Sequence, residues 1–194
     1  MIGNTGNLIS FMSGGAKSEA PRQGAAILIG PDIIFFGSSY TWAGINVDVI
    51  EEETEMSAIK VPLLGATFDF VRDSFYRGLS RRREIKIAVV EIITSEQFEM
   101  KRKALSVSAE EMDELLAMEA WGESLGVKTF FYFPPSGRSP DHIERIEVQD
   151  FDDPLIYPEL FNPAVRQDEA HLNGKGAKIF SILISHEIMS CITL

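Results

Sequence analysis

Short apolar runs, closed off by glycine, proline or serine, alternate along this chain with longer stretches in which apolar residues recur every three or four positions. The run Ile33-Ile34-Phe35-Phe36 has no polar face and stops at Gly37-Ser38-Ser39. An apolar run without alternation predicts a strand covered on both sides, as in a parallel sheet. Residues 59–64 predict a second strand stopped by Gly65, residues 85–93 a third, and residues 127–133 a fourth stopped by Pro134-Pro135. A further apolar run, 25–29, is cut from the first strand by Gly30-Pro31.

Helical spacing fills the intervals. Residues 47–55 are acidic with spaced apolar positions and predict a short helix. Phe68, Val71, Phe75 and Leu79 share one face of a helix over 66–83. Its last turn carries Arg81, Arg82 and Arg83, which suit the negative end of the helix dipole and read as a solvated helix end rather than an anion site. Ser108 with Glu111 three residues on is a capping box, opening a helix to about Leu125 that stops at Gly126. A last helix is expected over 174–188. Residues 136–167, rich in Asp, Glu and Pro, predict irregular chain, and residues 1–24 a loose arm ahead of one domain, 25–194. Strands alternating with helices imply βαβ units, a parallel sheet and right-handed crossovers.

Composition narrows the partners. The 194 residues carry 18 basic and 29 acidic side chains, a net charge of −11 that repels phosphate backbones and argues against a nucleic-acid partner. The one cysteine, Cys191, lies in an apolar tail and reads as a packing residue. No run approaches the roughly 20 apolar residues of a membrane span. No basic start leads into an apolar stretch, so no secretory leader is expected and the cytoplasm is the default compartment. Oligomeric state is not legible.

In parallel sheets, ligands bind beyond the carboxyl ends of the strands. The residues that follow the expected strands are therefore the ones to inspect for chemistry. Among His142, His171 and His186, His171 stands out because Asp168 lies three residues before it. A carboxylate at that spacing can accept the Nδ1 proton and leave Nε2 to take a proton from a hydroxyl. The competing reading of Asp-x-x-His is an Asx turn or a helix cap. His142 reads as a turn residue and His186 as a helix residue without a catalytic partner. Asp168, Glu169 and His171 come from one short loop and do not make a metal site, so neither a metal nor a cofactor is expected. The dinucleotide and Walker glycine patterns and the Gly-x-Ser-x-Gly elbow are absent from the chain.

Two segments together resemble the SGNH, or GDSL-type, hydrolases. Ile33 to Thr41 is similar to their first block, a buried strand ending in Gly-Asp-Ser, with Ser38 in the aspartate's place and Ser39 in the nucleophile's. Asp168-Glu169-Ala170-His171-Leu172-Asn173 followed by Gly176-Ala177 is similar to their last block. The Gly-Ser-Ser form resembles a subgroup with polysaccharide O-acyltransferase relatives. The resemblance implies a flavodoxin-like three-layer α/β/α sandwich with a mostly parallel sheet, and acyl transfer by Ser39, His171 and Asp168. It implies oxyanion donors at the Ser39 N–H and at Gly65. The family's third-block asparagine has no counterpart after the third strand; Thr94, Ser95 and Gln97 are the candidates to replace it. Tyr40 and Trp42, beside Ser39, are candidate substrate contacts, although the size of Trp42 favours core packing. The expected activity is a serine esterase acting on a small or carbohydrate ester. The alternatives are O-acyl transfer to a surface polysaccharide and a binding module that has lost its chemistry.

Overall fold

The computed structural model describes residues 30–81, 84–93, 107–136 and 145–192. The arm 1–24, the run 25–29, Arg82, Arg83, Thr94, Ser95, Gln97 and His142 lie outside the described residues. The elements run β1 (Ile33–Gly37), α1 (Ser39–Gly44), α2 (Val47–Thr54), β2 (Ala58–Pro62), α3 (Phe68–Arg81), β3 (Ile87–Glu91), α4 (Ala109–Ser124), β4 (Lys128–Phe133), β5 (Val148–Asp150) and α5 (Gly174–Ile192), with 3-10 turns at Pro158–Phe161 and Pro163–Val165.

The five strands of the described residues are all parallel, in the order β2-β1-β3-β4-β5. The chain steps outward from β1 to β2 and then crosses back to β3, so the order reverses between β1 and β3. In an open parallel sheet the ligand crevice lies at this reversal, beyond the carboxyl ends of the strands. β1 is the strand beside it, and Ser38 and Ser39 follow β1 directly.

Strand pleating splits each apolar run between two cores. Ile34, Phe36, Ala88, Val90, Phe131 and Phe133 face α3 and α4, where they meet Val71, Phe75 and Leu79, and Met112, Leu115 and Met118. Ile33, Phe35, Ile87, Val89, Phe130 and Tyr132 face the other way, onto Ile50 of α2, Phe180, Ile184 and Ile188 of α5, and Phe151 and Leu160 of the segment after β5. Helices on both faces of one sheet make the molecule a three-layer α/β/α sandwich.

The α4 capping box forms as expected, with Ser108 Oγ accepting from Glu111 N–H and Glu111 Oε2 accepting from Ser108 N–H. Lys60 on the edge strand β2 donates to the carbonyls of Trp42 and Ile45, giving the last turn of α1 the cation that a helix C-terminus favours. Cys191 packs against the α5-side core. The elements differ from expectation in several places, beginning with α1, which the spacing does not predict, and β3, which spans Ile87–Glu91 within the expected 85–93. β2 ends at Pro62, and the exposed Leu63 and Leu64 beyond it belong to a turn. α5 continues to Ile192. Residues 148–150 form a fifth strand beside β4, within a segment expected to be irregular. Val-Gln-Asp has neither the length nor the alternation of a strand, so this one exists through its pairing with Phe131–Phe133.

Candidate active site

Ser38 is the one residue between the end of β1 and the start of α1. Its backbone is extended, and its Oγ accepts from Tyr40 N–H as the N-cap of α1. Ser39 is therefore the first residue of α1, half-buried at the carboxyl edge of the sheet. Its N–H has no acceptor among the described residues.

His171 comes from far along the chain, on the loop leading into α5. That loop is closed by an antiparallel bridge between Arg166 and Leu172 and by the Gln167 N–H donating to the His171 carbonyl. Asn173 ties the loop to the helix behind it. Its Nδ2 donates to the carbonyls of Ala164 and Arg166, and its Oδ1 accepts from Lys175 and Gly176 N–H at the start of α5. Arg166 pins the other side. It lies 4.9 Å over the Phe161 ring and donates to the carbonyls of Pro135 and Ala170. Burial lowers the Arg166 pKa against the opposing pull of Asp152, Tyr40 and Asp168.

The loop brings the two ends of the chain together. His171 Nε2 is 2.9 Å from Ser39 Oγ, across 132 positions of sequence. His171 Nδ1 is 3.0 Å from both carboxylate oxygens of Asp168. Asp168 Oδ1 also accepts from the N–H groups of Ala170, at 2.8 Å, and His171, at 2.7 Å. The turn reading and the ring-orienting reading of Asp-x-x-His are thus both realised by one side chain. Burial pushes the Asp168 pKa up, but the two N–H groups and the ring outweigh it and hold the carboxyl below its ordinary value. An ionised carboxylate on Nδ1 favours the tautomer with the proton there, leaving Nε2 as acceptor for the Ser39 hydroxyl.

The other candidates separate. Tyr40 stacks on the imidazole, with ring centroids 5.1 Å apart and planes 23° off parallel, so it walls His171. Trp42 is 47% exposed, which overturns the expectation of core packing. Three residues beyond Ser39 on the same short helix, it lies on the same side of α1 as the nucleophile candidate. Gly65 sits in the turn after β2, with φ at +69° and Ala66 N–H donating to the Leu63 carbonyl. Leu63 N–H donates to the Gly37 carbonyl, tying that turn to the end of β1. No hydrogen bond joins Gly65 to Ser39 among the described residues. His186 is exposed and pairs at 3.7 Å with Glu53 on α2, away from this site. Among the described residues no three His, Cys, Asp or Glu side chains converge as metal ligands.

One residue here was not singled out from sequence. Glu91, the last residue of β3, is fully buried and accepts hydrogen bonds from the backbone and hydroxyls of Ser38 and Thr41. Burial raises its pKa, with those bonds opposing. The available signal was a lone carboxylate within the apolar run Ile-Ala-Val-Val-Glu-Ile-Ile, where a buried charge needs partners.

No family model matches the chain, and no curated protein matches it. Solved structures do. A psychrotrophic esterase from Pseudoalteromonas sp. superposes with a TM-score of 0.61 at 12% identity, over 84% of this chain and 98% of that one. A protein of the G-D-S-L family from Desulfitobacterium hafniense gives 0.60 at 13%, over 79% and 97%. An acetyl xylan esterase gives 0.56 at 14%, over 82% and 98%. Strand order, layering and these superpositions agree: the chain has the fold of the SGNH, or GDSL-type, hydrolases.

Proposed function

We propose that this protein is a serine esterase that cleaves a small or carbohydrate ester through an acyl-enzyme. The observation that carries the reading is the continuous relay from Ser39 Oγ to His171 Nε2, at 2.9 Å, and from His171 Nδ1 to Asp168, at 3.0 Å. A base at that distance takes the hydroxyl proton directly.

Ser39 Oγ attacks the ester carbonyl carbon while its proton passes to His171 Nε2. The tetrahedral oxyanion falls to the N–H groups of Ser39 and Gly65, each worth about 3 kcal/mol in comparable sites. The carbon–oxygen bond to the leaving group breaks, and Nε2 returns the proton to the departing alkoxide. Water then attacks the acyl-enzyme, gives a proton to Nε2, and the carboxylic acid leaves as Ser39 Oγ regains it. Asp168 steadies the imidazolium in both halves, and the Tyr40 ring limits how far His171 can swing. Trp42, exposed beside the nucleophile, offers a flat apolar face to the ring of a sugar ester. The acetyl xylan esterase and the Pseudoalteromonas esterase among the superposed structures support an ester as substrate.

Hydrolysis of p-nitrophenyl acetate tests the reading. The wild-type chain is expected to turn over, and Ser39→Ala to lose about 10⁴-fold or more in kcat. Equal rates for the two proteins would contradict it. Acetylated sugar formed in place of free acetate, when glycan is added, would reassign the acyl acceptor from water to a hydroxyl.

A further inference from the structure

Ser38 occupies the position where the resemblance puts an aspartate, yet a carboxyl group still reaches this corner, from another strand. Glu91 is the charged residue among the five of β3, and it is 1% exposed. Its Oε2 accepts from the N–H groups of Ser38 and Thr41, both at 3.0 Å, and from the Thr41 hydroxyl. Its Oε1 accepts from the Ser38 hydroxyl. The Thr41 hydroxyl is met in turn by the phenol of Tyr132, buried on β4, at 2.7 Å. Ser38 and Thr41, on either side of Ser39 in the chain, are therefore anchored to a single side chain on the neighbouring strand.

The chain makes room for this arrangement. A Cβ at Gly37 would collide with Thr41 Oγ1 and Glu91 Oε2, so the glycine before the two serines is needed for close approach. Burying a carboxyl group costs several kcal/mol unless its lone pairs are matched. The positions of β3 that point into the two cores are filled by Ile, Ala and Val. Glu91 differs from them in facing the turn that carries Ser39, and each of its partners is a donor there.

We propose that Glu91 is the positioning residue for the nucleophile: its acceptor oxygens hold the first turn of α1 so that Ser39 Oγ meets His171 Nε2. The inference rests on the reading of Ser39 as nucleophile. Without those acceptors, the Ser38 and Thr41 N–H groups lie buried and unpaired, and the turn relaxes away from the imidazole. A displacement near 1 Å at such a site costs about 100-fold in rate.

The test compares wild type, Glu91→Leu and Glu91→Gln on p-nitrophenyl acetate, with kcat expressed per site titrated by a phosphonate ester. Leucine keeps the volume and removes the acceptors. Glutamine keeps an oxygen for the two N–H groups, while its amide can donate to the Ser38 hydroxyl. The expected result is a kcat about 10- to 100-fold lower for Glu91→Leu with KM within about twofold, and recovery to within about threefold of wild type in Glu91→Gln. A purely structural role would lower the yield of folded protein and leave kcat per titrated site unchanged, and that result would overturn the proposal. A glutamine variant as slow as the leucine one would overturn it as well. If Glu91→Leu does not fold, Thr41→Val removes one of the four donors in its place. It should lower kcat per site with KM held, and an unchanged kcat per site would count against the proposal. Ser39→Ala separates the two levels of the argument. If it is inactive while Glu91→Leu is normal, only the positioning claim fails. If it is as active as wild type, the nucleophile reading itself fails.

Discussion

Asp168 meets two backbone N–H groups and an imidazole with one carboxylate, and this explains why its motif was legible. A turn and a ring contact three residues apart are local, so spacing alone brings them into view. What spacing could not supply was the partner 132 positions away, which came from the resemblance at Gly37-Ser38-Ser39. Tyr40 and Trp42 show the opposite case. They lie two positions apart on a six-residue helix, and only the packed structure shows which ring covers the histidine and which faces solvent. Glu91 was hidden by the apolar run around it. Its burial has a consequence of definite sign. The folded chain holds the Glu91 proton more tightly than the unfolded chain, because burial raises the pKa further than the Ser38 and Thr41 bonds lower it. Stability from this group is therefore full below the unfolded carboxylate pKa and is lost as pH rises through the raised value. Urea unfolding between about pH 4 and about pH 8 should show wild type losing stability relative to Glu91→Gln as pH climbs. Curves that stay parallel would contradict the assignment. Asp168 has the reverse sign, present above its unfolded pKa and lost on acidification, and its half-exposed side chain makes that contribution small.

At the scale of elements, the loop between the second 3-10 turn and α5 carries the histidine, and Asn173 is its fastening. Its side chain satisfies two carbonyls of the loop and two N–H groups of the helix. Asn173→Ala leaves these groups to water or to no partner, at a cost of about 1–2 kcal/mol. A fall of several degrees in Tm is expected, together with a lower kcat as His171 gains freedom; an unchanged Tm would contradict the fastening role. The sequence marked this helix start through Asn-Gly-Lys-Gly, but not the backward reach of Asn173, because the carbonyls it holds lie seven and nine residues earlier. β5 was illegible for a related reason. Its residues carry no pattern of their own, and its pairing is set by the strand it lies against. The strands with strong patterns, β1 and β3, were placed from sequence to within two residues at their starts, since a buried parallel strand leaves an apolar run that no helix of that length would need.

Over the whole molecule, the alternation of strands and helices was enough to expect a parallel sheet, while the strand order and the reversal beside β1 are properties of the packed chain. The two-sided burial of β1 follows from its place between β2 and β3, with helices above and below. This architecture lets a serine near the start of the described chain and a histidine near its end form one relay, the serine in the first turn of α1 beyond β1 and the histidine on the loop into α5. The central claim is that this relay makes Ser39 the reactive hydroxyl of the protein. Intact-mass measurement after exposure to a phosphonate ester tests it most directly. The account predicts a single adduct located on Ser39, none on Ser39→Ala, and labelling of His171→Ala slowed by about 100-fold or more. An adduct that forms on Ser39→Ala as fast as on wild type, or on His171→Ala at the wild-type rate, would contradict it.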